Sequence, residues 1–392
     1  MRSRRPEASG EILAEVARLV RQAIGRRLVV LIGPSAQSRA IALYFAAFTG
    51  VVGMRDAGTG VGGHTELVSE ILARLDACLR DPGERLLLPL ARLGSPDQVV
   101  IYAGSYPTVA KCGLYTVIGS RPTVPEEIES KAAQFTILPP HTIPNHQRCP
   151  ALVANRRCAE MVKKGSVVAH AANIGDVATM ATAAARFVAA DSSPEQCERI
   201  LSSLNARGDI FLCQFVPGTP VTVYGYVTDR SVVVSGVYEA LNEVDLTTGV
   251  IYAGGVRGAG VRDSDAALIQ HVVSFAIRHS AGVLNYAGAF CIDGVWAQGQ
   301  FAVLDLNLRS CAGARRLLGD IGIDLPAPVV DLALRESQAD DSHDLMIALA
   351  TEARRHWPSP HDLTLWERSE PITASEEWTA APGRVELARI VR

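Results

Sequence analysis

The chain has 392 residues, of which 48% are hydrophobic and 20% are charged, and its formal net charge is −3. A chain of this length exceeds one ordinary hydrophobic core, so two or three domains are expected. The charge balance and the lack of a basic segment with interleaved aromatic residues argue against a nucleic-acid partner. The longest apolar stretch, residues 41–54, is too short and too interrupted by glycine to span a membrane.

The eight cysteines form no CxxC pair and show no Cys/His spacing typical of a metal site. They are interpreted as reduced thiols. Together with an N-terminus that lacks a signal-peptide pattern, they indicate a cytoplasmic protein. Cys291 lies two positions before Asp293 and therefore shares its strand face. It is interpreted as a small buried residue or, alternatively, as a nucleophile that lines a site.

The N-terminal third of the chain alternates between helical and strand patterns. Apolar residues at helical spacing over 12–26 precede a continuous apolar run, 27–32, and a second helix over 38–48. Short buried strands are expected at 98–103 and 114–119. This order predicts a parallel α/β layer.

Two further segments of this region have other patterns. The glycine-rich run 58–63 imitates a dinucleotide fingerprint, but no strand leads into it. It is a flexible loop, or a loop that folds over a substrate and brings His64 into contact. A helix over 125–133 and a strand over 135–138 are expected before the proline-rich segment 139–144, which marks a domain boundary.

A β-hairpin is predicted from residues 289–296 and 302–308, joined by the turn 297–300. The second strand alternates strictly, with Ala302, Leu304, Leu306 and Leu308 on one face and Val303, Asp305, Asn307 and Arg309 on the other. Asp293 and Asp305 are symmetric about Gly299. Their carboxylates are therefore expected to lie opposite each other on one face of the hairpin.

Directly opposed like charges destabilise a sheet unless a cation neutralises them. Mg²⁺ is a candidate, because it takes carboxylate and phosphate oxygens as ligands. Asn307 offers a third oxygen ligand, and Arg309 offers a fork for phosphate or carboxylate. The alternative is an ordinary amphipathic hairpin whose polar face is solvated.

This hairpin resembles the last two core strands of the ATP-grasp ligase superfamily. The matching residues are Asp293 in AFCIDG and Asp305, Asn307 and Arg309 in LDLNLRSCAG, and the resemblance covers roughly residues 208–330. It implies an α/β (α+β) fold: an N-terminal parallel α/β domain, then a two-lobed ATP-grasp fold with a mainly antiparallel sheet. By the same resemblance, Asp293, Asp305 and Asn307 hold Mg²⁺ on ATP, and Arg309 meets the acyl phosphate or the γ-phosphate.

The resemblance also divides the chain into domains. An N-terminal α/β domain is expected over 1–145, a small ATP-grasp lobe over 146–207 and the C-terminal lobe with the hairpin over 208–335. Residues 336–392 are interpreted as a capping appendage.

In the small lobe the family normally uses two lysines, one of them on a strand that is followed by a glycine-rich loop. Residues 187–193, where that strand and loop are expected, contain neither lysine nor glycine. The candidates that remain for the α- and β-phosphates are Lys163, Lys164, Arg156 and Arg157, with surface solvation as the alternative for each.

Two further contacts with ATP follow from position. The backbone of Gln214, Phe215 and Val216, at the end of the apolar segment 209–216, is expected to pair with adenine. Arg257 is a candidate for the transferred phosphoryl group, with a solvated loop arginine as the alternative.

The function implied is an ATP- and Mg²⁺-dependent, ADP-forming carboxylate–amine ligase that forms an amide or peptide bond through an acyl phosphate. Its substrate would be an amino acid or a similar small carboxylate, as in peptide and natural-product amide ligases, and its assembly a homodimer. One alternative is a catalytically degenerate ATP-grasp protein that acts as a ligand-binding or partner subunit. Another is an unrelated α/β enzyme such as a dehydrogenase.

Overall fold

The computed structural model describes residues 6–33, 38–54, 68–125, 128, 130–171, 185–205, 208–245, 249–257, 261–311, 318–319 and 322–356. The glycine-rich run 58–63 and His64 lie outside the described residues. Within these ranges the chain forms three sheets.

The first sheet is mainly parallel and is built from the N-terminal region. Its strands, in spatial order β2-β1-β3-β5-β4, are β1 (Leu28–Ile32), β2 (Val51–Met54), β3 (Val99–Tyr102), β4 (Lys111–Cys112) and β5 (Tyr115–Ile118). All its neighbouring strands run parallel except β4 and β5. The continuous apolar sequences of β1 and β3 suit strands that are covered on both faces.

Four helices accompany this sheet in the sequence: α1 (Pro6–Ile24), α2 (Arg39–Ala46), α3 (Val68–Arg80) and α4 (Glu84–Leu93). Buried residues of α1 and α2 pack with Leu31 and Val100, whereas those of α3 and α4 pack with Val30 and Ile101. The helices therefore supply both hydrophobic layers of the sheet, and the predicted parallel α/β layer is confirmed.

The strand predicted over 135–138 is wrong, because Lys131–Ile137 form a helix, α5. Ser130 caps it by accepting a hydrogen bond from the backbone N–H of Ala133. Ala132 and Phe135 lie three residues apart on its buried face. They pack into the core of the third sheet, which is described below.

The second sheet is small and antiparallel, in the order β6-β9-β7-β8. Its strands are β6 (His146–Cys149), β7 (Val167–Ala171), β8 (Arg186–Val188) and β9 (Ile210–Gln214), and its helices are α6 (Ala151–Met161) and α7 (Pro194–Asn205). β9 pairs with both β6 and β7. It is thus a strand of this sheet, although it lies beyond the predicted boundary at residue 207.

The third sheet is antiparallel and carries the predicted hairpin at one edge. Its order is β12-β11-β10-β13-β14, with β10 (Thr219–Val227), β11 (Val232–Asp245), β12 (Gly249–Arg257), β13 (Gly288–Ala297) and β14 (Gln300–Asn307). Helix α8 (Asp263–Leu284) packs with α5 against one face of the sheet. The opposite face carries the polar side chains. A parallel α/β sheet followed by two antiparallel sheets confirms the predicted fold class.

Two C-terminal helices, α9 (Ala327–Glu336) and α10 (Ala339–His356), pack on α1 in the core of the first sheet. Asp331 in α9 accepts a hydrogen bond from the backbone N–H of Ala289 at 2.6 Å. The end of the described chain is therefore joined to β13. None of the described helices is long and apolar enough to cross a membrane.

Candidate functional site

The hairpin β13–β14 places Asp293 directly opposite Asp305, as predicted. Its turn consists of Gln298 and Gly299, both at positive φ (50° and 78°), the backbone conformation that a two-residue hairpin turn of type I′ requires. Such a turn alone would pair Asp293 with Leu304. The register shifts between Asp293 and Gly294, and this bulge restores the opposed carboxylates.

The bulge also corrects the predicted alternation. Phe301 and Val303 lie in the core together with Leu306 and Leu308, whereas Leu304 is only half-buried. The core face therefore changes parity at Leu304, because an extra residue reverses every side chain on one side of it. The prediction that Val303 shares the polar face with Asp305 is wrong.

Hydrogen bonds connect the predicted residues along the polar face. Thr222 in β10 donates to Asp293 Oδ1 at 2.5 Å. Asn307 Nδ2 donates to Asp305 Oδ2 at 3.1 Å, and Arg309 Nη2 donates to Asn307 Oδ1 at 2.9 Å. The structure therefore brings Asp293, Asp305, Asn307 and Arg309 into one cluster, with the Asn307 amide oxygen turned towards Arg309.

The cation beside the carboxylate pair is Lys131, which forms an ion pair with Asp305. It is the first residue of α5, and Gln134, three residues later on the same helix face, accepts a hydrogen bond from Leu306 N–H at 3.1 Å. Both contacts hold α5 along β14. Sequence reasoning missed Lys131, although it is one of only four lysines in the chain.

The two carboxyl groups differ in acidity. Burial, together with the negative charge of Asp305, raises the pKa of Asp293 to about 6. The hydrogen bond from Thr222 lowers this pKa but does not cancel the rise. Burial also raises the pKa of Asp305, but the Lys131 ammonium and the Asn307 amide outweigh it, so the pKa of Asp305 lies below its ordinary value. Without a further cation, Asp293 is therefore the carboxyl that takes up a proton first.

The small sheet reaches this cluster through His170 on β7. Burial lowers the pKa of His170 to about 4; the Lys131 ammonium acts in the same direction and Asp305 opposes it. His170 therefore lies near both residues and is neutral at pH 7. The strand of the small sheet that lies near the site is thus β7, and the segment 187–193 begins in the outer strand β8.

Four of the other candidate phosphate ligands lie on or beside α6, before β7. Lys163 and Lys164 are exposed in a 3₁₀ turn directly before β7, and Arg156 is exposed on α6. Arg157 forms an ion pair with Glu160 on the helix surface. The backbone of Arg257 pairs with Tyr238, but its side chain lies outside the described residues.

The predicted adenine segment is partly engaged within the protein. The N–H groups of Gln214 and Phe215 donate to the carbonyl oxygens of Asn145 and Ser166, each at 2.8 Å. Val216 is half-buried at the connection to β10. The role of Gln214, Phe215 and Val216 in binding adenine stays a prediction.

The first sheet contributes a loop at the carboxyl end of β3. The ring of Tyr106 contacts two guanidinium groups, with Arg309 Cζ at 5.8 Å and Arg121 Cζ at 5.1 Å from the ring centroid. Ser105 Oγ accepts a hydrogen bond from the backbone N–H of Ser310 at 2.9 Å. This loop therefore fixes the chain just after β14, and with it Arg309.

The donor atoms at the site suit a hard divalent cation. Within the part of the chain that the structure describes, no group of three or more His, Cys, Asp or Glu side chains is placed to hold a metal ion. Asp293 and Asp305 offer two carboxylates, and Mg²⁺ is commonly bound by one or two carboxylates together with phosphate oxygens and water. The residues present therefore fit Mg²⁺ that arrives with a nucleotide.

Comparison with known proteins gives structural matches only. No protein-family profile matches the chain, and no curated protein matches its sequence. The structure is similar to an N5-carboxyaminoimidazole synthase of Aspergillus clavatus in complex with ADP and 5-aminoimidazole ribonucleotide (14% identity, 78% of this chain, 79% of that chain, TM-score 0.48).

Two further matches are of the same quality. One is an N5-carboxyaminoimidazole ribonucleotide synthetase of Thermotoga maritima (14% identity, 79% of this chain, 75% of that chain, TM-score 0.47). The other is a biotin carboxylase of Campylobacter jejuni (12% identity, 85% of this chain, 71% of that chain, TM-score 0.47). At identities and scores this low, function is inferred from the site residues of this chain.

Proposed function

We propose that the chain is an ATP- and Mg²⁺-dependent, ADP-forming ligase that joins a carboxylate to an amine. The observation that carries this proposal is the face-to-face pair Asp293 and Asp305, flanked by Lys131 on one side and by Asn307 and Arg309 on the other. Phosphoryl transfer needs positioned charge more than covalent help from the protein, and this cluster brings charges of both signs together.

In this proposal Asp293 and Asp305 hold Mg²⁺, which neutralises and orients the phosphate oxygens of ATP. Lys131 and Arg309 are the protein cations for the phosphates, and the neutral His170 adds no charge. Thr222 fixes the orientation of the Asp293 carboxylate, and Asn307 fixes that of Arg309. Lys131 thereby has the phosphate-binding role that was predicted for Lys163 and Lys164.

We further propose that the acid substrate is a small amino-acid-like carboxylate and that the product is an amide or peptide. The support is the Arg309 guanidinium, which lies between the carboxylate pair and the Tyr106 loop and presents a fork for a carboxylate or an acyl phosphate. The amide-ligase subtype rests on the resemblance of the LDLNLRSCAG segment alone.

A second candidate function is a nucleotide-binding or partner protein without turnover. The observation that favours it is the ion pair of Lys131 with Asp305, which already neutralises one of the two carboxylates. The two candidates share a nucleotide site and differ in catalysis.

The test is thermal unfolding with and without ATP and Mg²⁺, followed by phosphate release with a panel of amino acids and amines. We expect MgATP to raise the melting temperature of the natural protein and of Asp229→Ala, a control in the exposed turn between β10 and β11. Asp305→Ala should lose this shift. Absence of a shift in the natural protein contradicts nucleotide binding, and a shift that Asp305→Ala retains contradicts a nucleotide site at the carboxylate pair. A shift without phosphate release selects the second candidate.

A further inference from the structure

Two thiols flank the candidate site and pack in one cluster of side chains. Cys291 lies on β13 two residues before Asp293, and Cys311 lies two residues after Arg309. Cys311 packs against a cluster formed by Cys291, Tyr224 and Tyr238 on the polar face of the third sheet, and the Cys291 thiol donates to Asp293 Oδ1 at 3.8 Å. All eight cysteines of the chain are free thiols.

A second thiol pair provides a comparison within the same molecule. Cys158 and Cys197 also belong to one cluster, and each is 0% exposed in the core of the small sheet. Cys291 is 4% exposed, but its partner Cys311 is partly exposed to solvent. An oxidant dissolved in water can therefore reach the pair beside the site through Cys311, whereas both sulfurs of the core pair are shielded.

We propose that Cys291 and Cys311 form a reversible disulfide on exposure to a hydroperoxide. The Cys311 thiolate attacks the peroxide and becomes a sulfenic acid, and the peroxide leaves as hydroxide or an alkoxide, which takes up a proton. The Cys291 thiol then displaces the hydroxyl group, so an S–S bond forms and one water is released. Two thiol hydrogens and two electrons pass to the peroxide, and a dithiol reductant returns both residues to thiols.

The disulfide would act on Arg309. Cys311 Sγ now lies 3.8 Å from Arg309 Nη1 and 3.5 Å from the Arg309 carbonyl oxygen. A disulfide holds its sulfur atoms about 2 Å apart, so bond formation must move Cys311 Sγ towards Cys291 on β13 and change its contacts with Arg309. The oxidised protein therefore loses a contact that orients Arg309 and, on the proposed function, binds MgATP more weakly.

The test treats the reduced full-length protein with one equivalent of hydrogen peroxide, alkylates the remaining thiols and maps the peptides. We expect a Cys291–Cys311 cross-link, two fewer alkylated residues among the eight cysteines, and full reversal by dithiothreitol. Cys158 and Cys197 should stay alkylatable after mild unfolding, as an internal control. Cys311→Ala should form no cross-link, and its MgATP affinity, already lowered by loss of the contact with Arg309, should not fall further in peroxide.

Two other outcomes of this experiment contradict the disulfide. Oxidation of Cys311 to a sulfinic acid while Cys291 remains a thiol, or equal cross-linking of Cys158 with Cys197, overturns the proposal. On oxidation, the MgATP affinity of the natural protein should fall by about tenfold, because misplacement of a binding group by about 1 Å has effects of at least this order. If the reduced protein binds no MgATP, the proposed function is contradicted. The cross-linking result still tests whether Cys291 and Cys311 form a disulfide.

Discussion

At the scale of single residues, the ion pair between Lys131 and Asp305 sets the charge that the carboxylate pair presents. Lys131 neutralises Asp305 and leaves Asp293 beside it with a raised pKa. A metal ion and the ammonium group therefore compete for the same carboxylate, whereas the ammonium group and the nucleotide phosphates attract each other.

Lys131→Met should consequently have opposite effects on two affinities. Binding of the divalent ion without nucleotide should become tighter, because Asp305 loses its ammonium partner. Binding of MgATP should weaken by about tenfold or more, since a charged hydrogen bond contributes about 1.5–3 kcal/mol. Calorimetric titration measures both. Lys111→Met, on the exposed side of β4, is the matched control, and a parallel fall of both affinities in Lys131→Met would indicate general damage instead.

The raised pKa of Asp293 predicts a pH dependence. Its folded pKa of about 6 lies above the ordinary 3.8, so the protonated carboxyl stabilises the metal-free fold at low pH. This contribution is complete below pH 3.8 and is lost as the pH rises through 6.

Divalent-ion binding should therefore release a proton from Asp293 at pH 6 but almost none at pH 8. Calorimetry in buffers of different ionisation enthalpy measures the release, and Asp293→Asn is expected to remove it at both pH values. Equal proton release at pH 6 and pH 8 in the natural protein would show that another group titrates.

At the scale of elements, the hairpin shows what local sequence can predict. The symmetry about Gly299 predicts Asp293 opposite Asp305, and this pairing is correct because the bulge at Leu304 offsets the two-residue turn. The bulge at Leu304 could not be predicted, because Val303 and Leu304 are both apolar and the sequence does not show which of them faces the core. The bulge turns Phe301 and Val303 to the core face. Lys131 and His170 were missed because only tertiary structure brings them to β14.

Gly294→Ala should strain this bulge. A Cβ at Gly294 would meet the Ala302 carbonyl oxygen and Phe301 Cζ, both at 2.4 Å. We expect the free energy of unfolding to fall by about 1–3 kcal/mol, as in other overpacked positions. Denaturant unfolding measures it.

Gly299→Asn in the turn is the control for Gly294→Ala. A Cβ at Gly299 meets nothing within 4 Å, and asparagine tolerates its positive φ. Its unfolding free energy should stay close to that of the natural protein. A smaller loss in Gly294→Ala than in Gly299→Asn would contradict the bulge as a tightly packed feature.

At the scale of the whole molecule, a buried ion pair connects the C-terminal helices to the strand that carries Asp293. Arg335 Nε donates to Asp331 Oδ1 at 3.0 Å, and the side chains are 5% and 1% exposed. Arg335 Nη2 also donates to the Tyr286 hydroxyl at 2.5 Å. These contacts lie at the start of β13, so α9 helps to fix the position of the site.

Arg335→Met should lower the free energy of unfolding by about 3–5 kcal/mol, because it leaves the Asp331 carboxylate buried without its cation. The double variant with Asp331→Asn should recover part of this loss. Arg262→Met removes an arginine that is 83% exposed in its ion pair with Asp265, and it should change stability by less than about 1 kcal/mol. Similar losses in Arg335→Met and Arg262→Met would show that the buried pair contributes little.

Helix α5 has one more effect, on the border of the third sheet. The Leu306 N–H on the outermost strand is already taken by the Gln134 side chain, and exposed N–H groups of this kind are what allow a foreign strand to attach. Strand addition by a second molecule is thereby blocked beside the carboxylates. A dimer built by joining these sheets would have to avoid this position of β14 or use the opposite border, formed by β12.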